Sequence, residues 1–303
     1  VGKRADNTRS NYEVALRPVR ERLGQRKART VTREDVEAFA GWMLTEGRRR
    51  GGVPGTALSA RSVRLTVGRL SAAFDLAVKD RKLAHNPCQH AETPDYQPGE
   101  RRTWDAARAR RFLQAAQAHR LYGCWLLSLH GLRRGEVTGL RWDDIDLDGR
   151  KLTVASARVA VYQRGTVEKS PKSRRGVRTL PLTDAAVAAL RQMQTRQKAE
   201  RLAAGEAYAA SGFVACDELG RPVSPRWYSD EFDRIRAQAK LPRITLHDLR
   251  HAANSLLADA GVPDHIRAAW CGHAVAVNAS VYTHANDLSA ARDALAVALG
   301  GQA

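Results

Sequence analysis

Five short motifs in this sequence carry side chains whose types and spacing could break a phosphodiester bond. They are, in chain order, Gly131-Leu132-Arg133-Arg134-Gly135-Glu136, Pro171-Lys172-Ser173, His247-Asp248-Leu249-Arg250, Cys271-Gly272-His273 and Val281-Tyr282-Thr283-His284. Without metal or ATP, that reaction needs a nucleophile, cations that neutralise the charge growing on phosphorus, and an acid for the leaving oxygen. Tyrosine can be the nucleophile, although its solution pKa of about 10 means that it needs activation. Arginine can donate two hydrogen bonds to one phosphate and stays charged.

In this order and with this spacing, the motifs resemble those of the tyrosine recombinase family, the phage-integrase type of site-specific recombinase. The resemblance implies that Arg133 and Arg250 clamp the target phosphate and that Glu136 supports Arg133. It also implies that Tyr282 attacks the phosphate and leaves a 3′-phosphotyrosine with a free 5′-hydroxyl. Because one phosphodiester is exchanged for another, rejoining would need no external energy source. The implied activity is site-specific DNA recombination through a Holliday junction.

The same resemblance implies roles for three further side chains. His247 would accept the tyrosine proton or hydrogen-bond the phosphate, and His273 would donate to a non-bridging oxygen. Lys172 matches the family's mobile catalytic lysine, which would protonate the leaving 5′ oxygen and contribute on the order of 10² to 10⁴ in rate. Three basic neighbours compete for this role, and the two arginines among them are also candidate DNA contacts: Lys169, Arg174 and Arg175.

The sequence departs from the family's usual residues at three positions near these motifs. His130 precedes the first motif where threonine is more usual, and Cys271 replaces a commoner leucine. Ala279 occupies a position near the tyrosine that often holds threonine. A buried cysteine packs as a small apolar residue. None of the three departures removes a reacting group.

Three other interpretations stay open. His247 and His251 are spaced four apart, as in zinc sites, and Cys271 with His273 could complete a metal set. No glutamate base lies between the two histidines, and the phosphate-clamp interpretation also accounts for the arginine and tyrosine motifs without metal or other cofactor. A type IB topoisomerase has a similar catalytic set. A DNA-binding regulator could also retain the scaffold without cleaving.

The composition indicates a polyanionic partner. The 303 residues include 50 Lys and Arg against 32 Asp and Glu, a net charge of +18. Nucleic acid is the first candidate, although an arginine-rich protein from a GC-rich genome would show a similar excess. The four cysteines lack Cys-x-x-Cys spacing, which fits the reducing cytosol or nucleoid of a bacterium. The most apolar stretch, 121–132, is shorter than the roughly 20 residues that a membrane span needs.

Residues 1–90 are predicted to form a helical domain. Its first helix should be kinked or interrupted at Pro18. Thr32 and Asp35 resemble a capping box before a second helix, and a third should begin near Ser59. By resemblance this is the core-binding domain, which clasps double-stranded DNA. The candidate DNA contacts are Arg48, Arg49, Arg50, Arg61, Arg64 and Arg69.

The rest of the chain is predicted to contain a linker, a catalytic domain and a terminal helix. Residues 91–103 are poor in apolar side chains and indicate the linker. The catalytic domain, 104–286, should be helical except for strand-like runs over 151–162 and 177–182. By resemblance, 287–303 would dock on a neighbouring protomer.

The predicted fold class is therefore mainly α with a small antiparallel β-sheet, an α+β arrangement of a core-binding domain and a tyrosine-recombinase-like catalytic domain. By resemblance the chain would assemble as a homotetramer on a DNA core site, alone or with an accessory DNA-bending or directionality factor. The terminal helix could instead fold back on its own chain, and the sequence leaves cis and trans docking both open.

Overall fold

The computed structural model describes residues 6–49, 52–97, 103–161, 165–169, 177–272 and 288–300. The chain divides into two compact units, Val1–Glu100 and Arg101–Ala303. The predicted fold class is confirmed, since the described elements are mostly helices with short antiparallel strands. No helix among these described residues is both long and apolar enough to cross a membrane.

The first unit is built on α1 (Asp6–Leu23), α2 (Arg33–Thr45) and α3 (Ala60–Lys79). The predicted capping box begins α2: the amide of Asp35 donates to Thr32 Oγ1 at 3.3 Å, and the amide of Thr32 donates to Asp35 Oδ2 at 3.0 Å. The third helix begins where predicted. Apolar side chains of α2 and α3 form a common core that includes Val36, Phe39, Met43, Val63 and Phe74.

The first helix runs through Pro18, so the proline does not interrupt it. A proline inside a helix removes one hydrogen bond and disturbs the carbonyls of the preceding turn. Side chains of α3 contact α1 just before the proline: Thr66 Oγ1 donates to the carbonyl of Ala15 at 3.2 Å. Arg69 Nη1 donates to the carbonyl of Asn11 at 2.5 Å. The predicted interruption at Pro18 is therefore absent, and α3 packs against α1 on the N-terminal side of the proline.

The second unit contains eight described α-helices and all the described strands. The helices are α4 (Ala106–Ala116), α5 (Tyr122–Leu129), α6 (Arg134–Gly139), α7 (Asp184–Ala204), α8 (Pro225–Gln238), α9 (Asp248–Asp259), α10 (Asp264–Cys271) and α11 (Ser289–Leu299). The strands are β1 (Ile145–Asp146), β2 (Lys151–Val154), β3 (Ala157–Val161), β4 (Gly165–Lys169) and β5 (Arg178–Pro181). One sheet has the antiparallel order β1-β2-β5, and β3 pairs with β4 in a separate hairpin.

Aromatic packing joins the helices of the second unit. The Trp125 ring stacks on Tyr228 of α8, with centroids 4.1 Å apart, and meets Phe112 of α4 edge to face. Phe232 lies 5.2 Å from Phe112 and 5.7 Å from Trp104, centroid to centroid. This core fixes α5, whose C-terminal end leads into the first motif.

The strand-like run predicted over 151–162 is divided into two strands, because the chain turns between β2 and β3. Ser156 Oγ donates to the carbonyl of Gly139 at 3.0 Å, which ties the turn to α6. Strand β3 then lies directly on the α6 backbone: a Cβ on Gly139 would be 2.9 Å from the amide nitrogen of Arg158. The sequence also failed to reveal β4, where Val167 pairs with Val159.

The C-terminal helix α11 packs on its own unit. Ala291 and Leu295 are fully buried there, and α11 contacts α4, α9 and α10. Arg110 Nη1 of α4 donates to the carbonyl of Ala298 at 2.9 Å. The single chain therefore contains a site in cis for this helix.

Candidate active site

A glycine turn after α5 presents the first motif. Gly131 has a φ of +91°, a conformation that favours glycine, and a Cβ there would meet the side chains of Ala253 and Cys271 at 3.4 and 3.6 Å. Trp270 Nε1 donates to the carbonyl of His130 at 2.6 Å. The turn is thus held against α9 and α10, the two helices that carry the third and fourth motifs.

Arg133 precedes the first residue of α6 and is the more accessible of the two candidate phosphate ligands, with its side chain 40% exposed. Its Nη1 donates to Glu136 Oε1 at 2.7 Å, and its amide donates to Glu136 Oε2 at 2.8 Å. Its Nη2 donates to the carbonyl of Gly272 at 2.8 Å. A guanidinium has five N–H groups. Within the described part of the chain, the Arg133 side chain uses two of them.

Arg250 lies on the first turn of α9 and is only 1% exposed. Its Nη1 donates to the carbonyl of Gly131 at 2.7 Å, so this guanidinium reaches the same turn that presents Arg133. Burial is the largest influence on the pKa of Arg250, and the pKa is lowered to about 10. The group is still charged at neutral pH, which a phosphate ligand requires.

Glu136 receives two guanidinium groups, one from Arg133 and one from Arg178 on β5. Arg178 Nη1 and Nη2 donate to Glu136 Oε1 and Oε2 at 3.1 and 2.9 Å. Burial alone would raise the pKa of Glu136, but hydrogen bonds and charge from Arg178, together with hydrogen bonds from Arg133, lower it to about 2. The carboxylate is therefore ionised throughout the physiological range.

Arg178 was not among the site residues predicted from the sequence. The signal that could have found it is its register, since Arg178 and Leu180 are two apart on a strand and share a face, and Leu180 is 1% exposed. A charged residue on the buried face of a strand needs a partner. That partner is the supporting glutamate of the first motif.

His247 stands immediately before α9. The amide and the hydroxyl of Thr245 both donate to Asp248 Oδ2 at 2.7 Å, which fixes the start of the helix. The rings of His247 and His251 meet edge to face with centroids 5.2 Å apart. Partial burial of the ring, followed by the charges of His251 and Arg250, lowers the pKa of His247. A neutral imidazole at pH 7 can accept a proton.

Arg134, the neighbour of Arg133, contacts a different helix. Its Nη1 donates to Ser229 Oγ of α8 at 2.9 Å. Of the two consecutive arginines, Arg133 alone donates to Glu136 among the described contacts.

Three of the predicted catalytic side chains, Lys172, His273 and Tyr282, lie outside the described residues. The same holds for Arg50, Arg174 and Arg175. Among the predicted site residues that it does describe, the structure brings together Arg133, Glu136, His247 and Arg250. In the described part of the chain, no group of three or more His, Cys, Asp or Glu side chains is arranged to hold a metal ion.

The candidate DNA-contacting arginines of the first unit differ in their surroundings. Three of them have contacts within the unit: Arg49 donates to Glu21, Arg69 to the carbonyl of Asn11, and Arg48 to the carbonyl of Ala57. Arg64 and Arg61 are exposed on α3. Arg64 has one hydrogen bond of 3.5 Å, to the carbonyl of Pro94. Arg61 forms no hydrogen bond or ion pair with the other described residues, which makes it the most available of the five to a phosphate.

Comparison with solved structures supports the fold. The integrase of transposon Tn1549 in complex with a circular intermediate DNA superposes with a TM-score of 0.75 at 23% identity, and the match covers 90% of this chain and 88% of that chain. A lambda integrase dimer bound to a COC′ core site gives a TM-score of 0.62 at 20% identity, covering 90% of both chains.

Sequence comparison identifies relatives over most of the chain. A tyrosine recombinase XerC-like protein of Caldanaerobacter subterraneus subsp. tengcongensis is 29% identical over 245 residues, 75% of this chain and 63% of the relative. An integrase of Streptomyces ambofaciens is 29% identical over 272 residues, 86% of this chain and 66% of the relative. The chain thus spans just under two thirds of the length of these relatives. The model of the phage integrase family matches residues 104–289. This chain belongs to the phage integrase family, as the motifs predicted.

Proposed function

We propose that this protein is a site-specific DNA recombinase that cuts and rejoins DNA through a 3′-phosphotyrosine intermediate. The observation that carries the proposal is that two arginines from distant parts of the chain meet at the turn between α5 and α6. Arg250 of α9 donates a hydrogen bond to the carbonyl of Gly131 in this turn. Arg133 follows Gly131 by two residues and donates to Glu136. Two guanidinium groups at one turn, on the family's motif positions, form a site for the non-bridging oxygens of one phosphate.

In the proposed reaction, the tyrosine oxygen attacks phosphorus and the 5′ oxygen leaves. Tyr282 loses its proton to His247, whose lowered pKa leaves the imidazole able to accept it. A P–O bond forms to the tyrosine oxygen while the P–O bond to the 5′ oxygen breaks, and Lys172 supplies the proton for the leaving oxygen. The three N–H groups of the Arg133 side chain that the described contacts leave unused would neutralise charge on the phosphate, with His273 as a further donor. The 5′-hydroxyl of another strand then reverses the step.

The test is a covalent-complex assay. Nicked duplexes that span the ends of the host genetic element trap the attached protein as a band on a denaturing gel. We expect the band with the wild-type chain and not with Tyr282→Phe, while both bind the duplex, because the phenylalanine ring lacks the attacking oxygen. The band should persist in EDTA, since no step uses a metal. Wild-type protein that binds without a band would contradict the proposal and favour a non-cleaving regulator.

We further propose that the protein acts as a homotetramer on double-stranded core sites, exchanging two strands, then the other two, through a Holliday junction. A lambda integrase tetramer bound to a Holliday junction is among the similar structures, with a TM-score of 0.62 at 20% identity. In this assembly 287–303, whose helix α11 packs on its own unit in the single chain, would instead dock on a neighbouring protomer. All four cysteines are buried free thiols, which fits a bacterial cytosol or nucleoid.

We propose that the helical core-binding domain, 1–90, contacts DNA through exposed arginines of α3. Arg61→Ala is expected to reduce the slope of the logarithm of DNA affinity against the logarithm of salt concentration by about 0.9, the counterion equivalent of one phosphate contact. The measurement is a salt titration of DNA binding.

Arg49→Ala is the matched control for this prediction, because it also removes one positive charge. Arg49 is held within its own unit by Glu21 and by the Trp42 ring, whose centroid lies 5.1 Å from the guanidinium carbon. Its loss should lower the thermal midpoint of unfolding and leave the salt slope nearly unchanged. Equal slopes for Arg61→Ala and the wild type would place Arg61 on a solvated face.

A further inference from the structure

Arg178 makes a set of contacts that the proposed chemistry has not used. It is the first residue of β5, pairs with Val154 of β2, and has a side chain only 8% exposed. Its guanidinium donates to both oxygens of Glu136. Its Nε donates to the carbonyl of Trp270 on α10 at 3.0 Å. One side chain thus connects a strand, the support of Arg133, and the last turn of α10.

The end of α10 is packed against the same guanidinium. Gly272 has a φ of +59° and ends the helix, and a Cβ on it would be 3.1 Å from Arg178 Nη1. The carbonyl of Gly272 accepts the hydrogen bond from Arg133 Nη2. Arg133 therefore donates to Glu136 on one side and to the carbonyl of Gly272 on the other, and Arg178 lies against both residues.

Sequence position adds a further connection. The segment that carries Lys172 joins β4 to β5, so Arg178 is the first strand residue after it. The segment that carries His273 begins directly after Gly272. The same guanidinium thus lies at the point where both segments join the described fold.

A buried ion pair is weak evidence for a contribution to stability, because the free-energy cost of desolvating two charged groups can exceed the energy of their attraction. The Arg178 pair is arranged differently from a simple pair. Two of its hydrogen bonds end on Glu136, which supports Arg133, and a third ends on the carbonyl of Trp270 near the end of α10. The fork geometry fixes the plane of the Glu136 carboxylate. A plane fixed in this way also fixes the direction of Arg133, whose Nη1 binds the same oxygen, Glu136 Oε1.

We infer that Arg178 is a positioning residue for the cleavage reaction, acting through Glu136 and the end of α10 to orient Arg133 toward the phosphate. Arg178 does not touch DNA in this inference, because its guanidinium is buried. The inference rests on the proposed recombinase function. It adds a residue to the site rather than a new step.

Arg178→Lys tests the inference, because lysine keeps the positive charge beside Glu136 but cannot bind both carboxylate oxygens and the Trp270 carbonyl in the same geometry. The single-turnover rate of covalent-complex formation should fall by about 10²-fold, the loss expected when a reacting group is misplaced by roughly 1 Å. DNA affinity should change by less than about twofold, since the phosphate-facing groups remain. Arg150→Lys is the control, because Arg150 pairs with Asp184 on the surface. This variant should form the covalent complex at the wild-type rate.

A double-variant cycle distinguishes positioning from general damage to the fold. If Arg178 acts through Glu136, then Arg178→Lys combined with Glu136→Gln should be no slower than the slower single variant. Losses that multiply would overturn the inference, and so would a wild-type rate in Arg178→Lys. If Arg178→Lys does not fold, Arg178→Met with Glu136→Gln removes both charges together, and a wild-type rate in that folded variant would also overturn it. A wild-type chain without a covalent band would instead contradict the recombinase proposal.

Discussion

Arg250→Met is expected to abolish DNA cleavage while changing the thermal midpoint of unfolding by only a few degrees. The guanidinium is buried and charged, and in the proposed reaction it neutralises the phosphate as the tyrosine attacks. Removing one preorganised donor of this kind lowers rates by about 10² to 10³-fold, and removing an arginine that stabilises a phosphoryl transition state by about 10³ to 10⁵-fold. We therefore expect a loss of at least about 10³-fold in the rate of covalent-complex formation.

The expected stability of Arg250→Met follows from two opposing effects. Removing the buried guanidinium relieves the desolvation that lowers its pKa to about 10, a gain on the order of 3 kcal/mol at about 1.4 kcal/mol per pKa unit. The carbonyl of Gly131 would lose its donor, which costs about 1–3 kcal/mol when the group stays buried. These effects nearly offset each other, so the variant should fold. Thermal melts and the nicked-duplex assay measure the two quantities on the same preparation.

Arg150→Met is the control for this prediction, because it exchanges the same residue types on the surface, where Arg150 pairs with Asp184. It should retain the wild-type cleavage rate. Covalent-complex formation by Arg250→Met at near the wild-type rate would show that Arg250 does not bind the phosphate. A large drop in its melting temperature would show instead that the charge contributes to stability.

Acid should destabilise the second unit through His130, with the largest change between about pH 6.5 and pH 4. The side chain of His130 is buried, and burial lowers the pKa of its imidazole to about 4. The unfolded chain, whose histidines have a pKa of about 6.5, binds the proton more readily, so the stability that neutral His130 permits is complete above that pH and is lost as the pH falls toward 4. The loss attributable to this one group is on the order of 3 kcal/mol.

His130→Gln tests that prediction, because glutamine is polar but takes up no proton in this range. Denaturant titrations between pH 8 and pH 4.5 should show a smaller decline in the free energy of unfolding for the variant than for the wild type. Some decline should remain, since burial also lowers the pKa of His119 and of His247. Parallel curves for the two proteins would mean that His130 does not couple folding to protonation.

Local signals in the sequence were enough to locate several elements. Thr32 and Asp35 form their capping box, and Ser59 precedes α3, because capping depends on atoms within three residues of each other. Val63, Val67, Leu70 and Phe74 have the spacing of one helical face, and all four are buried in the core. Arg133 and His247 were identified for a different reason, since their motifs were matched by resemblance to the family.

The features that the sequence did not reveal depend on contacts between distant segments. The turn between β2 and β3 is tied to the carbonyl of Gly139, 17 residues before Ser156. Arg178 is 42 residues from Glu136. The residues before Arg178 are basic, and its register with Leu180 places it on the buried face of the strand, but only the fold identifies Glu136 as its partner. Arg48, Arg49 and Arg69 likewise matched a DNA-contacting pattern, and the fold gives each of them a contact within its own unit.

Both candidate phosphate ligands are held in part by main-chain oxygen atoms: Arg250 by the carbonyl of Gly131, and Arg133 by that of Gly272. Every amino acid supplies such an oxygen, so no substitution of a neighbouring side chain deletes it. This arrangement lets adjacent positions drift in evolution while the clamp keeps its shape. It offers a reason why His130 and Cys271 can replace the family's commoner residues beside the two turns, and it makes backbone conformation, rather than residue identity, the property that mutation must preserve there.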